Sequence, residues 1–220
     1  MKKSRLEILL IIVLSLGLLG SVASQAAELG VPEDFQSIQA ALDAASSGDT
    51  ILVAQGTYEE NITITKDNIT LKATGESEFT VLKGTVNIEA AFGTVIDGLT
   101  ITGPGHGISV RGDCRGDGPT LTVKNSLITG NGKNGIDFSQ DVIYQGVTIS
   151  NCKIGKNGSN GVNLAGTGED ISILNNNISN NGVLEATGSG VKIGGDVQGV
   201  EIADNTMVGN AFANIHPQSS

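Results

Sequence analysis

A thirteen-residue pattern returns along this chain at an almost fixed interval. It reads N-S-L-I-T-G-N-G-K-N-G-I-D from Asn125 to Asp137 and N-C-K-I-G-K-N-G-S-N-G-V-N from Asn151 to Asn163. A third copy starts at Asn175 and closes at Gly190-Val191-Lys192 after a seven-residue insertion. A degenerate fourth runs from Asp204 to His216, and a shorter relative from Gly98 to Ser109. The starts lie 27, 26, 24 and 29 residues apart. Such a period marks supersecondary units that bury a face only against their neighbours. Each copy follows a short alternating run, among them Leu121-Thr122-Val123, Val147-Thr148-Ile149, Ile171-Ser172-Ile173 and Val200-Glu201-Ile202. Period-2 runs rich in β-branched residues read as strands of three or four residues. No stretch within the repeats carries a helical period. The pattern predicts one coil of a parallel β-solenoid per copy, about seven coils in all. Ile128, Ile154, Ile178 and Met207 then form an inner stack, and equivalent Asn residues form hydrogen-bonded ladders.

The helix is expected between Val31 and Thr50. Ile38, Ala41, Leu42 and Ala45 repeat at i, i+3, i+4 and i+7, with Ser37 as N-cap, Gly48 ending the helix, and Gln39 and Asp43 on the polar face. An open solenoid end exposes core and unpaired strand edge, so residues 27–50 are expected to cap the first coil, with residues 51–220 forming the solenoid.

From Ser37 to Ile64 the chain reads S-I-Q-A-A-L-D-A-A-S-S-G-D-T-I-L-V-A-Q-G-T-Y-E-E-N-I-T-I. This resembles the start of right-handed parallel β-helix proteins of the pectin-lyase-like superfamily, and the Asn-x-x-Ile-x-x-Asn-Gly-x-x-Gly-Ile copies resemble their generic repeat. The resemblance implies an all-β, right-handed parallel β-helix. It does not imply one activity, because the superfamily holds lyases, hydrolases, esterases, epimerases and non-catalytic members.

Met1 to Ala26 reads as a secretory signal: Lys2, Lys3 and Arg5, an apolar run from Ile8 to Leu19, and small residues at Ser24-Gln25-Ala26. The apolar run is short for a membrane span, so the expectation is a secreted or periplasmic protein with no span after cleavage. Cleavage removes those three positive charges and Glu7, taking the net charge from −10 to −12. Such acidity argues against nucleic acid and anionic membranes, and against a polyanionic sugar unless a divalent cation bridges the two. With 3% aromatics and no Trp the core must be aliphatic, and stacking platforms for sugars are scarce.

Aligning the copies places Ser109, Asp137, Asn163, Lys192 and His216 in one row, just after the inward Ile or Val. A second row is Arg111, Ser139, Ala165 and Gly194. Asp137 and Lys192 would stand roughly 10 Å apart, two coils removed. Gly105-His106-Gly107-Ile108-Ser109 resembles the G-H-G-I-S segment of polygalacturonases, whose His lies close to the catalytic carboxylates. The N-T-D, D-D and R-I-K segments of those enzymes do not occur in this sequence. Hydrolysis with inversion needs two positioned carboxyls; near His106 the sequence offers Asp97 and, one coil on, Asp137. Clustering of Asp97, His106, Arg111 and Asp137 in one groove would favour an enzyme; scattering would not.

Arg111 to Pro119, R-G-D-C-R-G-D-G-P, is an insertion in which Asp113 and Asp117 offer oxygen ligands for calcium, although the remaining ligands of a calcium loop are missing. The resemblance implies calcium plus an Arg or Lys base for a lyase, with Arg111 or Arg115 as the base. The second insertion, Val183 to Ser189, has Glu185 as its charged group. Cys114 and Cys152 occupy different places on the coil, so no disulfide is expected. His106, His216 and Met207 fall on distant coils, so no copper or zinc site is read. Pro217 removes a donor near the last strand, whose edge is either blunted by it or paired with another chain through self-association of the C-terminal coil.

Two readings follow. One is a non-catalytic module that binds cell-envelope or extracellular glycan, or builds a surface assembly, and needs no cofactor. The other is a polysaccharide lyase or hydrolase using Asp137, His106, Arg111 and Lys192.

Overall fold

A computed structural model describes residues 25–184 and 186–217. The expected signal segment lies outside the described residues apart from its last two positions, as do Glu185 and the final three residues. Among the described residues, no helix is long and apolar enough to cross a membrane.

Three parallel sheets wind around one core. Sheet A has eight strands, from Glu28–Val31 to Asp196–Ala203; sheet B has six, from Gly56–Tyr58 to Asn177–Ser179; sheet C has seven, from Ile62–Ile64 to Ile215–His216. Each coil visits A, B and C in turn, and each strand pairs in parallel with its counterpart on the next coil. This is the expected all-β solenoid. Inward positions such as Ile51, Leu71, Ile96, Ile128 and Ile154 are fully buried. Each contributes about 1.5–3 kcal/mol through the apolar surface it removes from water. The stack Ile128, Ile154, Ile178 forms in register, and Met207 packs half-buried beyond it.

The helix, α1, spans Ile38–Ala44, and the Ser37 side chain accepts from the Ala40 N–H as expected of its N-cap. Its last residue is Ala44, with Ala45 as C-cap, so it stops short of Gly48. The chain before it holds a strand: Glu28–Val31 pairs with Thr50–Val53 as the first of the eight strands of sheet A. Carboxylate oxygens of Glu60 accept from the Ile38 and Gln39 N–H groups, 2.9 and 3.0 Å away. Lys66 Nζ donates to the carbonyls of Leu42, Asp43 and Ala45 at the other end. Opposite charges thus meet the unpaired donors and acceptors at the two helix ends.

The repeat pattern has separate causes at each of its positions. Asn125, Asn151 and Asn175 take φ of 53°, 54° and 57°, and Asp204 takes 56°. They make the left-handed corner between sheets A and B, a conformation Asn tolerates better than most residues. The second Asn of each copy builds the main ladder. Asn131 Nδ2 donates to Asn157 Oδ1, Asn157 to Asn181 and Asn181 to Asn210, at 2.9, 2.9 and 3.0 Å. Each of these amides also donates to a carbonyl of the preceding coil, Asn157 to Ile128 for one. The glycine before each sheet C strand lies beneath this ladder. A Cβ on Gly135 would stand 2.6 Å from the Gly161 carbonyl oxygen and 2.8 Å from Asn157 Nδ2.

Candidate functional site

The registers of sheet C place Asn87, Ser109, Asp137, Asn163, Lys192 and His216 in one column, as the alignment of copies predicts for its last five members. The column is less solvated than expected. Ser109 is 1% and Asp137 8% exposed, although both lie on the outward face. The cover comes from side chains of the turns between sheets B and C. Asn134 Nδ2 donates to Asp137 Oδ1 at 2.6 Å, and Asn163 Nδ2 from the next coil donates to the same oxygen at 3.0 Å. The other oxygen, Oδ2, faces His106 Nε2 at 3.8 Å.

His106 therefore meets Asp137 across one coil. Burial pushes the imidazole pKa below its ordinary value; the Asp137 carboxylate opposes this, while Lys133 and Arg111 act in the same direction as burial. Its Nδ1 is buried without a hydrogen-bond partner. Arg111 is exposed, and its Nε donates to Ser109 Oγ at 3.1 Å. Lys192 lies two strands from Asp137 with Asn163 between them.

Of the four residues whose clustering would favour an enzyme, His106 and Asp137 meet, Arg111 stands beside them on Ser109, and Asp97 lies elsewhere. Asp97 belongs to sheet A, where Asn125 Nδ2 donates to it at 2.8 Å and Lys124 approaches at 3.5 Å. Another outward carboxylate on this sheet is Glu89, paired in register with Arg111 and placed two strands and two residues from Asp137, roughly 12 Å away. Asn134 and Lys133 were missed by the sequence reading, although both sit in the recurring Asn-Gly-x-Asn-Gly turn that placed the column.

The insertion after Arg111 loops out between sheets C and A. Asp113 is held by Arg115 Nε and Nη2 at 3.0 and 2.8 Å, which lowers its pKa to about 2. Arg115 competes for both Asp113 oxygens, whereas the Asp117 carboxylate has no ion pair among the described residues. Asp117 lines a shallow groove with Gln145 and Asp170. Among the described residues no group of three or more His, Cys, Asp or Glu side chains gathers as a metal cage. Cys114 and Cys152 are both buried free thiols; burial raises both pKa values, that of Cys152 to about 11.

Comparison with known proteins agrees with this architecture. The family described as the right handed beta helix region matches residues 84–218. A cell surface glycoprotein of Methanothermus fervidus is 32% identical over 136 residues, which is 59% of this chain and 22% of that protein. The chain thus spans about a fifth of that relative's length. Among solved structures, a pectin methylesterase mutant in complex with a hexasaccharide superposes with a TM-score of 0.52 at 15% identity, over 82% of this chain and 67% of the other. A pectate lyase superposes with the same TM-score at 16% identity, over 80% and 62%. At such identities the likeness is one of fold.

Proposed function

We propose a non-catalytic glycan-binding role at the cell surface for this chain, which belongs to the right-handed β-helix family. The observation that carries the reading is the state of Asp137. Its carboxylate is buried, and one oxygen is already saturated by two amide donors from different coils. A carboxylate so placed organises its neighbours. It fixes Asn134, Asn163 and His106, and leaves Arg111, Lys133 and Lys192 to present donors to a solute lying along sheet C. Arg111 is anchored on Ser109 and so loses less side-chain freedom on meeting a hydroxyl-rich ligand, while Lys133 and Lys192 add charged donors. Hydrolysis with two acid–base groups needs a second positioned carboxyl; the outward carboxylate that the sheet C registers place nearby, Glu89, stands roughly 12 Å from Asp137. The related cell surface glycoprotein supports a surface location outside the membrane.

The approach of His106 to Asp137 favours a second reading, a polysaccharide lyase or hydrolase with these residues as its acid–base pair. One experiment separates the two. The purified protein is incubated with neutral and acidic polysaccharides, with and without calcium at the Asp117 region, while binding and new reducing or unsaturated ends are followed. The binding reading expects retention of at least one polysaccharide without cleavage, weakened by Arg111→Ala and Lys192→Ala. Cleavage abolished by Asp137→Ala would replace it with the enzymatic one.

A further inference from the structure

Sheet B presents its outward side chains in columns along the later coils. Leu127, Lys153 and Asn177 stack in one column, and Thr129, Gly155 and Ser179 in the next. Gly155 leaves the middle of the second column without a side chain. A groove of about 430 Å³ runs there, bordered by Asn177, Ser179 and the 58% exposed Val208. Asn177 departs from the rest of its column. Its counterparts are an apolar and a cationic residue, so the coil does not depend on an amide at this position. Ser179 stands two residues on, and residues two apart in a strand share a face. Its Oγ donates to Asn177 Oδ1 at 2.6 Å.

Asn177-Ile178-Ser179 is one of four Asn-x-Ser/Thr triplets in the chain, the pattern whose asparagine accepts N-linked saccharide in exported proteins. The others start at Asn61, Asn68 and Asn157. The structure separates the four. Asn157 is fully buried, and its Nδ2 donates to the Ile128 carbonyl and to Asn181 Oδ1, so a saccharide there would open the ladder. Asn61 and Asn68 are exposed but tied to neighbouring segments. Asn61 Oδ1 accepts from the Thr85 N–H at 2.9 Å. Asn68 takes a φ of 59°, its Nδ2 donates to Ser47 Oγ at 3.4 Å and its Oδ1 lies against Gly93 of the next coil. Asn177 is exposed, and among the described residues its side chain bonds nothing outside its own triplet.

We infer that Asn177 is a site of covalent N-glycosylation. The co-reactant is a saccharide carried on a polyprenyl phosphate or diphosphate. In the transfer the bond between Asn177 Nδ2 and C1 of the sugar forms as the bond from C1 to the phosphate oxygen breaks. One amide proton passes to solvent, and the polyprenyl phosphate or diphosphate leaves. The hydroxyl that the acceptor pattern requires is already placed beside the amide by the strand. The groove gives room for the first sugar units, which would cover the exposed Val208 beside the last coil. The inference rests on the surface location proposed above, and on none of the residues of the sheet C reading.

The test is made on protein isolated from the surface fraction of the cells that make it, digested and mapped by mass spectrometry. The peptide containing Asn177 is expected to carry added mass in whole sugar units, and the peptide containing Asn157 none. Asn177→Leu, which places in the column the residue found two coils earlier, should fold and remove that mass. Ser179→Ala keeps the acceptor amide but breaks the triplet and should also remove it, whereas Ser179→Thr should keep it. An unmodified Asn177 peptide in protein recovered from the surface overturns the site and leaves the surface location standing. Saccharide that persists in Ser179→Ala, or that sits on Asn61, Asn68 or Asn157 in place of Asn177, also overturns it. Absence of the protein from the surface fraction overturns the location, and the site with it.

Discussion

The early coils of this solenoid are closed by charged side chains that each act once; the later coils are closed by neutral amides acting in series. At the start, Asp49 accepts from the Ala27 and Ser46 N–H groups, Glu60 and Lys66 hold the two ends of α1, and Gln39 bonds both backbone groups of Thr63. From Asn131 onward the same closing task falls to Asn157, Asn181 and Asn210. The border between the two regimes is visible at Asn131, whose Oδ1 is buried with no donor from the coil before it. A cap needs charge because a helix end presents unpaired groups of one sign. A repeating interior favours amides, because Asn both donates and accepts and so passes the same bond from coil to coil. In the last coil Val197, Val200, Ile202 and Met207 are only partly buried, and Phe212 and Ile215 are exposed.

This contrast is broken most sharply in the ladder. Asn157→Ala removes the acceptor for two donors of Asn131 and the donors for Ile128 and Asn181, all buried. Leaving such groups unpaired should cost about 3 kcal/mol or more, and thermal unfolding should fall by roughly 6–12 °C. A loss under about 1 kcal/mol would show that neighbouring coils relax and that the ladder is not cooperative.

A smaller effect is expected where a single carboxylate does the closing. Asp49→Ala should cost about 1–2 kcal/mol. The backbone donors of Ser46 and Ala27 hold the Asp49 pKa below its ordinary 3.8. A depressed folded-state pKa means that its contribution is complete above the unfolded value and fades as pH falls through the lowered one. Denaturation midpoints of the wild type should therefore drop more steeply below about pH 4 than those of Asp49→Asn, which cannot titrate. Parallel curves for the two proteins would remove Asp49 from the acid response.

The least effect belongs to the exposed pair Lys83–Glu59, 3.0 Å apart with side chains 53% and 72% accessible. Lys83→Ala should change stability by less than about 0.5 kcal/mol, and added salt should leave that difference small. A larger loss would mean that surface charge, and not only the cap contacts, holds the early coils.

The period and the alternation of apolar residues determined the architecture by themselves. A run such as Leu121-Thr122-Val123 can bury only alternate side chains, and a repeat of 24 to 29 residues can bury them only against its own copies. The same alignment fixed the column Ser109, Asp137, Asn163, Lys192 and His216, because strand register follows from the inward positions. Tertiary structure decided what a period cannot encode. Asn125 and Asn131 are the same residue type six positions apart, yet one takes a left-handed corner and the other a ladder, and only the path of the chain separates them. Glu28–Val31 became a strand because Thr50–Val53 offered it a parallel edge. The meeting of His106 with Asp137, the exclusion of Asp97, the locking of Asp113 by Arg115 and the groove above Gly155 all arise between coils or in turns. There, side-chain direction and local backbone geometry, rather than spacing along the chain, set which groups come within reach.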